Sequence, residues 1–441
     1  MQEINRFPQV TGQVGWFEFS RFKDYKFSPL EKIEKSYDFV IIGGGFAGIN
    51  AAFQLYENCP DAKIAIFEAL KIGQGDSGRN AGFLMDVPHS FGEPGAPITQ
   101  YKYRRHLDLL TIGRLRHLIQ RNKLEVDWLE SGKFLSCHEP KFLKNIEGAA
   151  RVLDEMAIDY QLVDEQELQA RLGTNYYKRA LYTSGSCLIN PSEVVRGLAS
   201  VLPDNVDVFE EMPVLHLEEG RGVTIKLVNG HQVKAGKVLL LAGVFIDRFG
   251  IKQQGRMTPA GSFGAFTRIL SDEEMQSIGN VAPWGCTAAH AAGSTVRLLA
   301  NKRIYVRNGL IFPTHLDFSP SQLHHARHAL RRAFENRFPT LKHVNFEYSY
   351  AGMIPLTLNG QSFFLKMSEH LFAAAVGDGA GLTCSSMLGH YLADYACGRD
   401  SEELRYLREN NAPRRCPPEP FKTIAATARM KYEEFCARGE I

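Results

Sequence analysis

No stretch of this 441-residue chain is long and apolar enough to cross a bilayer as a helix. The most hydrophobic runs, residues 39–42, 238–245 and 371–376, fall far short of the roughly 20 residues that a span requires. The first 36 residues mix Glu3, Arg6, Glu18, Lys23 and Asp24 with aromatics and contain no hydrophobic leader, so no secretory signal is expected. The eight cysteines (59, 137, 187, 286, 384, 397, 416 and 436) include no Cys-x-x-Cys pair, which argues against a thiolate metal site and a disulfide framework. Reduced thiols in a cytoplasmic protein are the expectation. Neither sign of charge prevails: 51 Lys+Arg stand against 49 Asp+Glu, a net +2. So small an excess argues against a dedicated nucleic-acid or anionic-membrane surface. His89, His290 and His315 stand alone, without a second ligand at metal spacing, and no metal is expected. Repeats and low-complexity segments are missing too.

What the chain does hold is enough apolar residue, 44% against 23% charged, to build a sizeable core in two or three units. The run SYDFVII, ending at Ile42, is β-branched and aromatic, as in a buried parallel strand. It leads into Gly43-Gly44-Gly45-Phe46-Ala47-Gly48 and then a segment of helical composition, residues 49–55. After a polar break at 58–61, a second apolar strand, residues 63–67, ends in Glu68, 20 residues beyond Gly48. Each part has a physical task. Gly43 permits the tight turn, Gly45 lets backbone approach a pyrophosphate, and Gly48 lets the helix pack close to the sheet. The helix N-terminus offers free N–H groups and the positive end of its dipole, and Glu68 can accept hydrogen bonds from ribose hydroxyls. Strand, G-x-G-x-x-G, helix, strand and acid together predict a dinucleotide site.

The next residues distinguish between dinucleotides. A nicotinamide domain would proceed to another strand–helix unit, whereas residues 69–83 form a loop with four glycines and Ser77, Arg79 and Asn80. Here IIGGGFAGINAA, FEA and IGQGDSGRNAGF resemble the amino-terminal signature of the D-amino-acid-oxidase-like FAD oxidoreductases. The branch most similar is that of glycine, sarcosine and γ-glutamylputrescine oxidases, whose loop commonly reads G-A-S-G-R-N-G-G. Three later runs strengthen the resemblance: CLINPSEVV at 187–195, VLLLAGVF at 238–245 and AVGDGAGL at 375–382. It implies an α/β fold with a Rossmann-like FAD-binding domain of the glutathione-reductase type and an inserted α+β substrate domain. It also implies cofactor contacts from Gly43, Gly45, Phe46, Ala47, Gly48, Glu68 and Ala69 and from Ser77, Gly78, Arg79, Asn80, Ala81 and Gly82. Further contacts are implied from Val214, Ala242 and Gly243 and from Gly377, Asp378, Gly379, Ala380, Gly381, Leu382 and Thr383. The last group precedes an expected helix, residues 385–396, whose N-terminus would face the flavin and favour its reduced, anionic form.

The expected FAD-binding domain is discontinuous: residues 1–95, 186–248 and 345–441. The substrate domain would comprise 96–185 and 249–344, with helices over 103–122, 140–156 and 165–172. Its expected strands are 132–137, 262–269, 295–300, 302–307 and 309–312. A basic helix over 322–338 carries His324, His325, Arg327, His328, Arg331, Arg332 and Arg337, and reads as a solvated face above Leu323, Ala326, Leu330 and Phe334.

The family's chemistry implies oxidation of a C–N bond in a small amine or amino acid. Hydride passes to flavin N5, the imine hydrolyses, and oxygen or a quinone reoxidises the flavin. No protein base need exist. Arg307, Tyr350 and Met353 are the candidate catalytic residues; Arg297, Arg303 and Arg307 lie on strands that by resemblance border the pocket, and one of them is expected to clamp a substrate carboxylate. The chain departs from its relatives at Tyr350-Ala351-Gly352, where they often show Trp-Gly-Gly, and at Cys384, where they usually carry Gly-His-Gly-Val. Residues 351–356 have no cysteine, so FAD is expected to be non-covalent. The alternatives are a same-fold dehydrogenase acting on a hydroxy acid with a quinone acceptor, and a non-catalytic flavin-binding module.

Overall fold

The structure is a computed structural model and describes residues 4, 6–87, 97–250 and 255–441. His89 and the boundary expected at 95/96 lie outside the described residues.

The run SYDFVII forms the strand Ser36–Ile42 at the centre of a parallel sheet. The order is Val206–Phe209, Ile64–Phe67, Ser36–Ile42, Gln232–Leu240, Leu371–Ala375, with Phe363–Lys366 added antiparallel at the far edge. Side-chain alternation divides the core. Phe39, Ile41, Ile64, Ile66 and Leu239 pack with Ile49, Phe53, Leu388 and Leu392 of the helices Phe46–Asn58 and Gly381–Ala396. Val40, Ile42, Ala65, Phe67, Val238 and Leu240 face the other way, toward Val214, Leu217, Ile225 and Val233 of an antiparallel meander. Both faces are covered, which is why these strands read as nearly unbroken apolar runs. The two helices touch backbone to backbone: a Cβ on Gly389 would lie 1.9 Å from the Ala47 carbonyl oxygen.

A second, mixed sheet has eight strands. Their order is Phe346–Ile354, Ala260–Thr267, Ile304–Ile311, Thr295–Leu298, Trp284–Ala288, Lys133–Cys137, Arg179–Thr183, Gln161–Asp164. The helix Pro320–Arg337 packs on it. The segments expected as two strands, 302–307 and 309–312, form one, because Gly309 at φ +83° bridges a register shift against Ala260–Thr267 instead of ending the ladder. Two parts of 345–441 correct the expected division. Strand Phe346–Ile354 and the helix Phe421–Cys436 lie with the second sheet, where pairing to Ala260–Thr267 and packing on Ile304–Ile311 hold them.

The basic helix also differs in one respect from a solvated face. Arg337 is fully buried: its Nε donates to the Tyr177 hydroxyl at 3.0 Å and its Nη2 to the Glu440 carbonyl at 2.9 Å. His324, His325 and His328 are exposed. Among the described residues, no group of His, Cys, Asp or Glu could hold a metal ion, and no helix is long and apolar enough to cross a membrane.

Candidate functional site

The glycine turn lies where the central strand ends. Gly43 takes φ +109°, a conformation that suits glycine, and a Cβ on Gly48 would sit 1.9 Å from the Gly43 carbonyl oxygen. The turn and the helix start therefore touch directly. Gly45 is the N-cap of the helix Phe46–Asn58 and has no side chain of its own to cap it. The Ser77 hydroxyl accepts from Phe46 N–H at 3.1 Å, holding the second loop against that N-terminus. Glu68 receives backbone N–H groups from Gly44 at 2.7 Å and Leu70 at 2.9 Å. Burial pushes its carboxyl up from the ordinary range, and these donors pull it back.

Two cavities meet at this loop. One, of about 140 Å³, is lined by Gly43, Glu68, Ala69, Val214, Ala242 and Phe249. The other, of about 940 Å³, runs past Ala47, Asn80, Ala81, Arg307, Met353 and the turn Gly377-Asp378-Gly379. Both are bordered by Gly45, Asp76, Ser77, Arg79, Leu241 and Gly243. The result is one trough passing the N-terminal ends of the helices Phe46–Asn58 and Gly381–Ala396, whose N-cap residues make no side-chain cap bond. An elongated ligand with a ribose at one end, a pyrophosphate in the middle and a large ring at the other matches it. The residues present therefore fit FAD.

The loop is braced from several directions. Asn80 Nδ2 donates to the Ser77 carbonyl at 2.6 Å, Trp16 Nε1 donates to the Asn80 carbonyl at 2.8 Å, and Ser192 Oγ donates to the Gly73 carbonyl at 2.7 Å. Arg79 is buried. Its Nε donates to the Gln74 carbonyl at 2.6 Å and its Nη1 to the Ala351 carbonyl at 3.2 Å. Beside it, Asp76 accepts from Met353 N–H at 3.2 Å. Burial raises the Asp76 pKa and lowers that of Arg79, while their mutual attraction opposes both shifts.

The three candidate arginines separate sharply. Arg297 is buried over the Trp16 ring and donates to the carbonyls of Ala81 and Ile189, each at 2.8 Å. It anchors the loop. Arg303 bonds the Thr267 carbonyl and Glu347, away from the trough. Arg307 alone of the three lines the larger cavity, and it has no hydrogen-bond or ion-pair partner among the described residues. Burial lowers its pKa, with Tyr305 and Tyr350 nearby. Met353 also lines the cavity. Tyr350 does not: it is fully buried with Trp16, Phe266 and Tyr305, its hydroxyl 3.2 Å from that of Tyr305. Phe46, Gly48, Gly78, Gly82, Ala380 and Thr383 likewise lie behind the trough wall. Thr383 Oγ1, for example, accepts from Met85 N–H at 3.0 Å.

The model of the DAO family, described as FAD dependent oxidoreductase, matches residues 38–395. The chain belongs to that family. It is 26% identical over 427 residues to a probable oxidoreductase, OrdL, of Haemophilus influenzae, covering 94% of this chain and 95% of that one. The gamma-glutamylputrescine oxidoreductase of Escherichia coli is 23% identical over 394 residues, 86% of this chain and 88% of that one. Among solved structures, glycine oxidase from Bacillus cereus superposes with a TM-score of 0.70 at 17% identity, covering 86% of this chain and 99% of that one. The chain is thus an FAD-dependent oxidoreductase, with the fold its motifs imply.

Several site residues went unread in the sequence. Asp76 stands where related loops carry alanine, and that substitution was a signal. Ala426, Met430 and Glu433 line the cavity from the helix Phe421–Cys436, and nothing local marks them.

Proposed function

We propose that the chain oxidises the C–N bond of a small amine or amino acid bearing a carboxylate, and that Arg307 binds that carboxylate. The observation that carries this reading is the unpartnered Arg307 guanidinium in the larger cavity. The acids that line the same cavity are engaged elsewhere: Asp378 with Arg104 at 3.4 Å, Glu433 with Arg429 at 2.5 Å and His290 at 3.2 Å, and Asp76 with Met353 N–H at 3.2 Å. A desolvated cation without a counter-ion favours an anionic ligand, and a guanidinium matches a carboxylate in two-pronged geometry. When bound, FAD supplies the acceptor for a hydride from the substrate carbon, and the resulting imine hydrolyses to a carbonyl compound and an amine or ammonia.

The chain's own contribution is positioning. Arg307 fixes the anionic end. Phe263, Met353 and Leu356 supply apolar wall, and Ser262 and Thr295 add hydroxyls. Asp76 and Arg79 hold the loop beneath through Met353 N–H and the Ala351 carbonyl. The names of the relatives, a gamma-glutamylputrescine oxidoreductase and a glycine oxidase, are in keeping with nitrogen-bearing substrates. Anaerobic flavin bleaching across primary amines, secondary amines, amino acids and 2-hydroxy acids tests the reading. Bleaching by a carboxylate-bearing amine is expected. Bleaching by hydroxy acids alone would transfer the activity to C–O oxidation, and bleaching by none of them would favour a flavin-binding module.

A further inference from the structure

The helix Phe421–Cys436 shows two different faces. Inward, Met430 is buried, and Ala426, Met430 and Glu433 form part of the larger cavity's wall. Its inward acids are engaged within the fold: Glu433 with His290 and Arg429, and Glu434 with Leu310 N–H at 2.9 Å. Outward, Phe421, Ile424, Tyr432 and Phe435 are 65%, 63%, 59% and 59% exposed. With Ala428 between them, they follow the 3, 4, 4, 3 spacing that puts residues on one face at 3.6 per turn. Four large apolar side chains in one exposed line are more than scattered surface hydrophobes, and such a patch marks an interaction site.

Charge decides what covers it. Projected around the helix, Lys431 falls on one shoulder of the apolar stripe, with Arg438 two residues past the helix end; Lys422 and Arg429 fall on the other, where they border the larger cavity and pair with Glu419 at 3.4 Å and Glu433 at 2.5 Å. Residues 414–438 carry six basic and three acidic side chains. This one segment thus holds a positive excess larger than that of the whole chain, which whole-chain balance conceals. An apolar stripe between basic shoulders is the pattern of a helix lying in a membrane interface: the stripe enters the acyl boundary and the long cationic side chains reach lipid headgroups. Leu358, 53% exposed, also lines the larger cavity.

We infer that the helix Phe421–Cys436 docks this protein on the surface of an anionic lipid bilayer, lying in the interface without spanning it, with the larger cavity directly behind it. The inference stands apart from the substrate assignment, because it concerns the outer face of the helix only.

Co-sedimentation of the FAD-loaded protein with vesicles tests it. Vesicles of phosphatidylcholine mixed with phosphatidylglycerol are expected to bind it, pure phosphatidylcholine much less, and added salt is expected to weaken binding. The triple variant Phe421→Ser, Ile424→Ser, Phe435→Ser is expected to lose roughly tenfold or more in partitioning. In a second variant, Lys431→Glu with Arg438→Glu, the loss is about fivefold for each positive charge removed. Both variants should keep the flavin spectrum, and the second tests the inference even where the first fails to fold. Absence of binding to the anionic vesicles, or undiminished binding by a folded variant, would overturn it. So would sedimentation velocity showing a dimer that the triple variant dissociates, since the stripe would then be covered by a second copy.

Discussion

Replacing Arg307 by leucine separates what the residue does for the fold from what it does for a ligand. Its guanidinium lines the larger cavity, lacks a partner among the described residues, and is lowered in pKa by desolvation. An unpaired cation in partly desolvated surroundings does not stabilise the folded state, so Arg307→Leu should leave stability unchanged or raise it by about 1 kcal/mol. The residue is only half-buried, and water in the cavity keeps that gain small. For a carboxylate-bearing substrate the change removes a charge-assisted, two-pronged contact, a loss of about 2–5 kcal/mol. This corresponds to a roughly thirtyfold to several-thousandfold fall in kcat/KM. Arg307→Lys keeps the charge without the fork and should fall between. The assay is stopped-flow flavin reduction against substrate concentration, beside thermal melting of the same preparations. A leucine variant that melts several degrees lower while reducing its flavin at the wild-type rate would refute the reasoning. Arg307 would then be a structural residue like Arg297.

Three other outcomes are expected. Gly48→Ala brings a Cβ to within 1.9 Å of the Gly43 carbonyl oxygen unless backbone moves; such overpacking is worth about 1–3 kcal/mol, and flavin titration of the stripped protein should show FAD affinity lowered roughly tenfold or more. Cys384 is buried beside Ser362, which it approaches at 3.6 Å, and burial pushes its thiol up to about 12. With so little thiolate available, an intact-mass spectrum of denatured protein should show the bare chain, and a flavin adduct would contradict this.

The third outcome concerns His390. Burial, reinforced by the nearby Arg114, lowers its pKa to about 3. The Asp394 carboxylate does not compensate: its Oδ2 stays 3.9 Å from His390, while its Oδ1 accepts from Gln54 at 2.8 Å and Asn58 at 2.7 Å. A folded pKa below the unfolded value of about 6.5 means the unfolded chain takes up a proton that the folded chain refuses. Stability is therefore fully present above pH 6.5 and declines as pH falls toward 3, by roughly 1 kcal/mol at pH 5.5. In denaturation curves, His390→Gln should flatten this acid branch; an unchanged pH profile would rule His390 out as its source.

Much of the dinucleotide half is legible in the order of residues alone. Gly43 to Gly48 and Glu68 lie within a single strand–helix–strand unit, where turn, helix start and acid are set by neighbours a few residues apart. The strands around Val40 and Val238 can be read because apolar runs without alternation have few uses besides a sheet covered on both faces. The substrate side is harder to read. Strand Phe346–Ile354 and helix Phe421–Cys436 flank nucleotide-domain elements along the chain, yet their partners are strands from 260–267 and 304–311.

Sequence alone determined the ends of the FAD trough and the class of group it holds, because a glycine's freedom at φ +109° and the free N–H groups of a helix start are local properties of the backbone. Tertiary structure alone decided which of Arg297, Arg303 and Arg307 reaches the cavity. The three look alike along the chain, but carbonyls at 81 and 189 capture the first, Thr267 and Glu347 capture the second, and no described segment brings a partner to the third. A side chain's chemistry belongs to its residue type, whereas its availability depends on distant segments that only folding brings beside it.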